Sequence, residues 1–263
     1  GQTVQGISLN EAVEKMRGTP NTRITLGIRR EGVDKPLELT LTREVIKIRV
    51  VRSRLIDGDI AYIRLSSFTE QTEAGMRRAF NDLKAESGDK LRGVILDLRN
   101  NPGVLLDQSV AVSDDFLERG EIVSTRGRNA DETQRYNARP IDISKGKPVV
   151  ILINGGSASA SEIVAGALQD HRRAVVLGSK TFGKGSVQTI LPMDNGAALK
   201  LTTARYYTPS GRSIQAEGIT PDIALEALKF EKVDEGVEAL KESDLSRHLS
   251  NGTAPKPANI SSR

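Results

Sequence analysis

Three serines alternate with alanines in the run Asn154-Gly155-Gly156-Ser157-Ala158-Ser159-Ala160-Ser161-Glu162, where an apolar strand-like stretch gives way to a helical pattern. Two chemistries fit these residues. One is structural: Ser159-Ala160-Ser161-Glu162 is a capping box, with Ser159 at the helix N-cap and Glu162 reaching back to it. The other is nucleophilic. A serine on a tight strand-to-helix turn presents its hydroxyl at the sheet edge, and the helix N-terminus favours negative charge there. Backbone amides of a turn rich in glycine and alanine can face an oxyanion. This is the logic of a nucleophile elbow, although Gly-x-Ser-x-Gly itself is absent.

A nucleophilic serine needs a base, most often histidine. His171 lies twelve residues past Ser159. A helix of that length sets it about 18 Å away at 1.5 Å per residue. His248 sits in a weakly patterned tail. A neutral lysine is the known substitute, and Lys184 lies in Gly178-Ser179-Lys180-Thr181-Phe182-Gly183-Lys184-Gly185-Ser186-Val187-Gln188, on the loop after the next strand. The same stretch approaches a phosphate-cradling loop, but fails it twice. The residue after the lysine is Gly185 rather than Ser or Thr, and a strand pattern follows where a helix is required. A lysine base near neutral pH must fall from about 10.4 to near 7, a change of about 4 kcal/mol. Burial supplies shifts of that size. Phe182 and Val187 are the apolar walls expected to do so, and Gln188 can hold the amine without adding charge.

The elements that must position these groups follow from periodicity. Strands are expected over 22–30, 37–43, 45–50, 60–65, 93–98, 148–153, 174–177, 186–193 and 197–207. Helices are expected from the capping box at Ser8 to about Met16, over 70–87, over 104–118 and from 159 to 170. The alternation of buried strands with helices between 93 and 177 predicts crossover units and a mostly parallel sheet. Turns are read at Asp57-Gly58, at Arg99-Asn100-Asn101-Pro102-Gly103 and at Asp194-Asn195-Gly196. Residues 226–263 are charged and lose pattern; a marginal helix at Val237, Leu240 and Leu245 and disorder beyond Ser250 are expected. Residues 1–45 hold one helix and two or three strands, too little to bury a core alone.

Composition excludes several classes. The chain has 263 residues, a net charge of +4 and 3% aromatic residues, with both charge signs interspersed. That gives no footprint for nucleic acid. There are no cysteines, so disulfides and thiol chemistry are absent. The two histidines lie in no ligand-like cluster, so neither a metal nor another cofactor is expected. No run reaches the roughly 20 apolar residues of a membrane span. No secretory signal opens the chain, and a leader removed ahead of Gly1 is the expectation.

Four segments in order carry a resemblance: Asn154–Asp170, Phe182–Gln188, Leu201–Gly211 and Gly218-Ile219-Thr220-Pro221-Asp222. Together they resemble the carboxyl-terminal processing (tail-specific) proteases, over nearly all of residues 1–225. The resemblance implies an α/β fold with a mostly parallel, ClpP/crotonase-like protease core over 46–225, additional β-strands, and the C-terminal part of a truncated PDZ module over 1–45. It implies a Ser–Lys dyad: Ser159 as nucleophile, Lys184 as general base and Gln188 as its assistant, with Ser157 and Ser161 as flanking serines. It implies an oxyanion hole from the Gly103–Val104 turn and the amide of Ala160. The substrates implied are proteins or peptides with accessible C-termini, gated by the PDZ module, in the periplasm. A homo-oligomer or an adaptor protein stays open as a partner. The chain departs from the family's Asn-Asn-Pro-Gly-Gly turn at Val104. If that position needs positive φ, a β-branched residue there is an outlier. That departure and the incomplete PDZ part support an alternative, a weakly active or inactive peptide-binding protein on the same scaffold.

Overall fold

A computed structural model describes residues 4, 6–33, 35–45, 49–225, 241–245 and 248–249. The chain divides into two compact units, residues 1–49 and 50–263.

The first unit contains helix α1 (Leu9–Met16) and the antiparallel strands β1 (Arg23–Ile28) and β2 (Leu37–Thr42). The expected capping box opens α1: Glu11 N–H donates to Ser8 Oγ at 3.3 Å, and Ser8 N–H donates to Glu11 Oε2 at 2.8 Å. Arg43 ties the hairpin to the helix by donating from Nε to the Met16 carbonyl at 2.8 Å. No residue of α1, β1 or β2 is buried, as expected of a unit too small to form a core.

The second unit holds β3 (Val51–Ile56), β4 (Ile60–Leu65), α2 (Thr72–Ser87), β5 (Gly93–Asp97), α3 (Leu106–Asp114), β6 (Glu121–Arg126), β7 (Gln134–Asn137), β8 (Val149–Ile153), α4 (Ala160–Asp170), β9 (Ala174–Gly178), β10 (Ser186–Pro192), β11 (Ala198–Tyr207) and β12 (Ile223–Ala224). Six strands form one sheet in the order β12-β9-β8-β5-β4-β3, parallel except for the β3–β4 hairpin. Asp57 and Gly58 both have positive φ at that hairpin turn, and Asp59 N–H closes it by donating to the Ile56 carbonyl at 3.2 Å; a positive-φ central pair has a twist that matches that of the flanking strands. Buried runs such as Gly93–Asp97 are what a covered parallel strand requires. Met76, Phe80 and Leu83 of α2 share one buried stripe. In α4 every residue from Ala160 to Leu168 is buried. There Gly166 lets Thr208 and Ile219 approach so closely that a Cβ would meet Thr208 Cγ2 at 2.8 Å.

A second, four-stranded antiparallel sheet has the order β10-β11-β6-β7. Strands β6 and β7 were not expected; the alternation in Gln134–Asn137 is too short to register, and β6 is fixed by pairing with β11. A strand that was not expected lies at Val51–Ile56, where it pairs with β4 from Val51↔Leu65 to Ile56↔Ile60; the strand expected at 45–50 falls at its centre on residues outside the described ones. The Asp57-Gly58 turn sets the register of this β3–β4 hairpin. Residues 46–48 lie outside the described residues, as do Val237, Leu240 and the segment beyond Ser250. Leu245 follows a short 3-10 turn at Glu242–Asp244.

Parallel neighbours end at the same edge. The segments leaving β4, β5, β8 and β9 therefore gather at the C-terminal edge of the six-stranded sheet, where open α/β sheets place their sites. These segments include the Asn100–Val104 turn, the Asn154–Ser159 turn and the loop to Lys184.

Candidate active site

The three serines have different fates. Ser157 is buried and donates from Oγ to the Leu98 carbonyl at 2.8 Å, while accepting from Asn154 N–H at 3.0 Å. Ser161 is buried and donates from Oγ to the Asn101 carbonyl at 2.9 Å. Both hydroxyls are committed to holding the β8–α4 turn against the β5 turn. Ser159, between them, is half-buried and has φ 55°, ψ −112°. A non-glycine residue in that region costs about 1–3 kcal/mol and persists only where surrounding bonds hold it.

Glu162 supplies much of that hold. Its side chain is fully buried. Oε2 accepts from Ser159 N–H at 2.7 Å and from Lys184 N–H at 2.9 Å. Oε1 accepts from Gly183 N–H at 2.7 Å and from Thr181 Oγ1 at 2.6 Å. Phe182 N–H adds a bond to the Ser157 carbonyl at 3.0 Å. The Ser159 and Lys184 amides thus share one carboxylate oxygen, so they lie no farther apart than two hydrogen bonds end to end. Burial pushes the Glu162 carboxyl up to about 7, against four hydrogen bonds that favour its ionised form. Its oxygens face backbone amides and a hydroxyl, and make no ion pair with the Lys184 amine among the described residues.

The Lys184 side chain is half-buried. Phe182 and Val187, expected as its apolar walls, are half-buried too. No hydrogen bond joins Lys184 Nζ to Ser159 Oγ among the described residues. Gln188 is exposed on β10, just past a bulge between Val187 and Gln188, and is not bonded to Lys184. Gly185, next to the lysine, packs so tightly that a Cβ would meet Gln215 N at 2.3 Å.

Gly103 is drawn against the elbow. A Cβ there would meet Ala158 O and Ala160 N at 2.7 Å and Ser159 Cβ at 2.9 Å. Asn101 fixes this approach: its Oδ1 accepts from Gly103 N–H at 2.9 Å, its Nδ2 donates to the Leu65 carbonyl, and its carbonyl accepts from Ala158 N–H at 3.0 Å. Val104 has φ 128°, so the departure noted in the sequence does sit at a positive-φ position. The structure thus brings Ser159, Ala160, Gly103 and the Lys184 backbone together, and leaves Gln188 outside that cluster. His171 ends α4, where its Nε2 lies 2.7 Å from the Glu121 carbonyl, far from the elbow.

Sequence reasoning saw Glu162 only as a cap and missed a second group altogether. Asp97, at the end of β5, is fully buried. It accepts from Tyr62 Oη at 2.6 Å, Arg99 Nε at 2.9 Å, Arg99 Nη2 at 2.7 Å, Arg99 N–H at 3.0 Å and Arg64 Nη1 at 3.2 Å. Burial raises its carboxyl, but the bonds from Arg99 and Tyr62 overcome this and hold it below the usual carboxylate range. Beside it, Asn100 and Asn154 pair through Asn154 Nδ2–Asn100 Oδ1 at 2.9 Å and Asn100 N–Asn154 Oδ1 at 2.8 Å. The only sequence signal was a buried-type strand ending on a charge.

The chain as a whole has relatives among known proteins. The family model for Peptidase family S41 matches residues 59–225. The chain is 54% identical over 250 residues to a carboxy-terminal-processing protease of Bartonella bacilliformis, covering 95% of this chain and 57% of that protein. It is 40% identical over 230 residues to a carboxyl-terminal-processing protease of Synechocystis, covering 86% and 53%. The solved photosystem II D1 C-terminal processing protease superimposes with a TM-score of 0.62 at 31% identity, over 86% of this chain and 61% of that one. The chain belongs to peptidase family S41, a family of serine-type peptidases. It spans little more than half the length of these relatives.

Proposed function

We propose that this chain is the catalytic part of a carboxyl-terminal processing endopeptidase with a Ser–Lys dyad. Ser159 Oγ attacks the scissile carbonyl, the neutral amine of Lys184 takes its proton, and Gln188 orients that amine. The amides of Val104 and Ala160 receive the oxyanion, with Gly103 keeping the turn close. The proton on Lys184 then passes to the leaving amine, and water repeats the cycle on the acyl-enzyme. The observation that carries the reading is the fate of the serines: Ser157 and Ser161 are spent on structure, while Ser159 alone is half-exposed on a strained turn whose amide shares Glu162 with Lys184. Proton transfer requires Nζ and Oγ within about 2.6–3.2 Å, a contact that resting sites often hold more loosely.

The relatives' names support substrates cleaved near their C-termini. The helix and hairpin of residues 1–45 fit the end of a PDZ-type module that presents such termini, and the periplasm is the compartment this family resemblance favours. The test is cleavage of an unstructured polypeptide, followed by mass spectrometry, with the full-length protein and its Ser159→Ala and Lys184→Ala variants. The wild type should produce fragments and neither variant should. Cleavage that survives either substitution removes the dyad. Peptide binding without cleavage in the wild type would favour a binding scaffold instead.

A further inference from the structure

Val104 is branched at Cβ yet holds φ 128°, and 66% of its surface is exposed. Its neighbours clamp it there. Phe68 N–H donates to the Gly103 carbonyl at 2.9 Å, and Leu105 N–H donates to the Phe68 carbonyl at 3.2 Å, so Val104 sits in an isolated bridge with Phe68. Gly103 N–H is taken by Asn101 Oδ1. The Val104 N–H itself makes no hydrogen bond among the described residues. Nearby, the Ala160 N–H is the first of α4 and has no intrahelical acceptor. The turn therefore offers an unspent amide beside the elbow, but only in a backbone conformation that a β-branched residue resists.

We propose that Val104 is a positioning residue that brakes the oxyanion hole: its side chain biases the turn away from the conformation that aims its own amide at the oxyanion. The inference rests on Ser159 being the nucleophile. Glycine at this position would hold the same φ without strain. Relaxed to negative φ, the 103–104 peptide plane turns, and the bond from Phe68 to Gly103 is lost. The hole is then assembled only in a fraction of molecules, and the apparent rate falls by that fraction.

The test compares Val104→Gly, Val104→Ala and wild type in the full-length protein. A strain of the size known for such residues predicts a rise of about 5- to 100-fold in kcat for Val104→Gly, with KM within about 2-fold and a higher Tm. Val104→Ala should fall between. A peptide aldehyde gives a second readout. Ser159 Oγ bonds to its carbonyl carbon, the carbonyl electron pair moves to oxygen, and the serine proton goes to Lys184. Its affinity should rise with kcat in Val104→Gly, while a product peptide, which carries no oxyanion, binds as before. An unchanged or lower kcat in a folded Val104→Gly overturns the proposal, and so does a change confined to KM. Val104→Gly combined with Ser159→Ala separates the two readings: cleavage by that double variant would remove Ser159 as nucleophile, whereas its silence leaves the brake to be judged by the single variant.

Discussion

From Asn154 to Glu162, polar groups around Ser159 are bound on both sides of the turn, and helix α4 behind them is buried from Ala160 to Leu168. Past Lys184 the chain changes character. Strands β10 and β11 leave as a long hairpin whose outer half exposes Ile190, Leu191, Met193, Leu199 and Leu201. Its root alone is fastened, through Gly185 N–H to Gln215 Oε1 at 3.0 Å and Tyr206 N–H to the Gly185 carbonyl at 2.7 Å. The proposed nucleophile thus rests on a fixed turn, and the proposed base rests where a pinned loop passes into an exposed arm. Strain can be stored at Ser159 because its surroundings over-determine it. The half-buried Lys184 amine, by contrast, makes no hydrogen bond to Ser159 among the described residues.

The sharpest test of that contrast removes one side chain from each region. If the proposed dyad holds, Ser159→Ala and Lys184→Ala should each lower kcat by roughly 10³-fold or more, since members of a dyad act as a unit. Both should leave Tm nearly unchanged, because neither hydroxyl nor amine carries a structural bond among the described residues. A large fall in Tm for either would mean that the group holds the fold and was assigned the wrong role. Gly103→Ala comes next. Its Cβ would collide with Ala158 O and Ala160 N at a φ of 92°, so the turn must move off the elbow. Losing one oxyanion donor predicts a fall of about 10²–10³ in kcat, with a measurable loss of stability in thermal melts.

Glu162 ties the two regions together, and its variant should affect stability more than chemistry. Glu162→Gln replaces one acceptor oxygen by a donor that faces the same amides, leaving buried N–H groups unpaired at about 1–3 kcal/mol each. Its titration carries a definite sign. The folded carboxyl is raised from 4.5 to about 7, so the folded state binds the proton more tightly than the unfolded state between those values. The Glu162 contribution to stability should therefore be fully present below about 4.5 and decline as pH rises towards 7. Asp115, raised by burial from 3.8 to about 6, contributes in the same direction over the lower part of that window. Denaturant midpoints across pH 4 to 8 should show this decline, and Glu162→Gln should remove its upper part, between about 6 and 7. A slope that persists there would assign it to another group.

What was legible in the sequence follows the same division. Strands β5 and β8 and helices α2 and α4 announce themselves because burial demands unbroken apolar runs or a helical stripe. The alternation of three serines marked the turn, and the unusual Val104 marked its partner. Strands β6 and β7 were not legible, since they exist through pairing with β11 rather than through pattern. The second half of Glu162's role was hidden for a similar reason. Its capping bond is local, three residues long, but Thr181 and Gly183 lie some twenty residues away and only the β8–α4–β9 crossover delivers them. The Asp97 cluster depends on strand register between β4 and β5, which places Arg64 opposite Asp97 and which no single segment encodes.

The smallest expected effect lies at the far end of the arm. Ile190 is 64% exposed and stands opposite Lys200 in the β10–β11 ladder. Removing an exposed apolar side chain uncovers little new surface, so Ile190→Ser should change stability by no more than about 0.5 kcal/mol. Amides of the outer half of the hairpin should also exchange with solvent sooner than those of β5 and β8, since local opening there disrupts few buried contacts. The two measurements constrain each other. Fast exchange with a neutral Ile190→Ser leaves the arm free and the contrast with the elbow intact. A loss of about 2 kcal/mol or more at Ile190, with slow exchange in the same strands, would mean that this apolar surface is covered in solution. The loop bearing Lys184 would then be supported from both ends, and the difference between the two halves of the site would disappear.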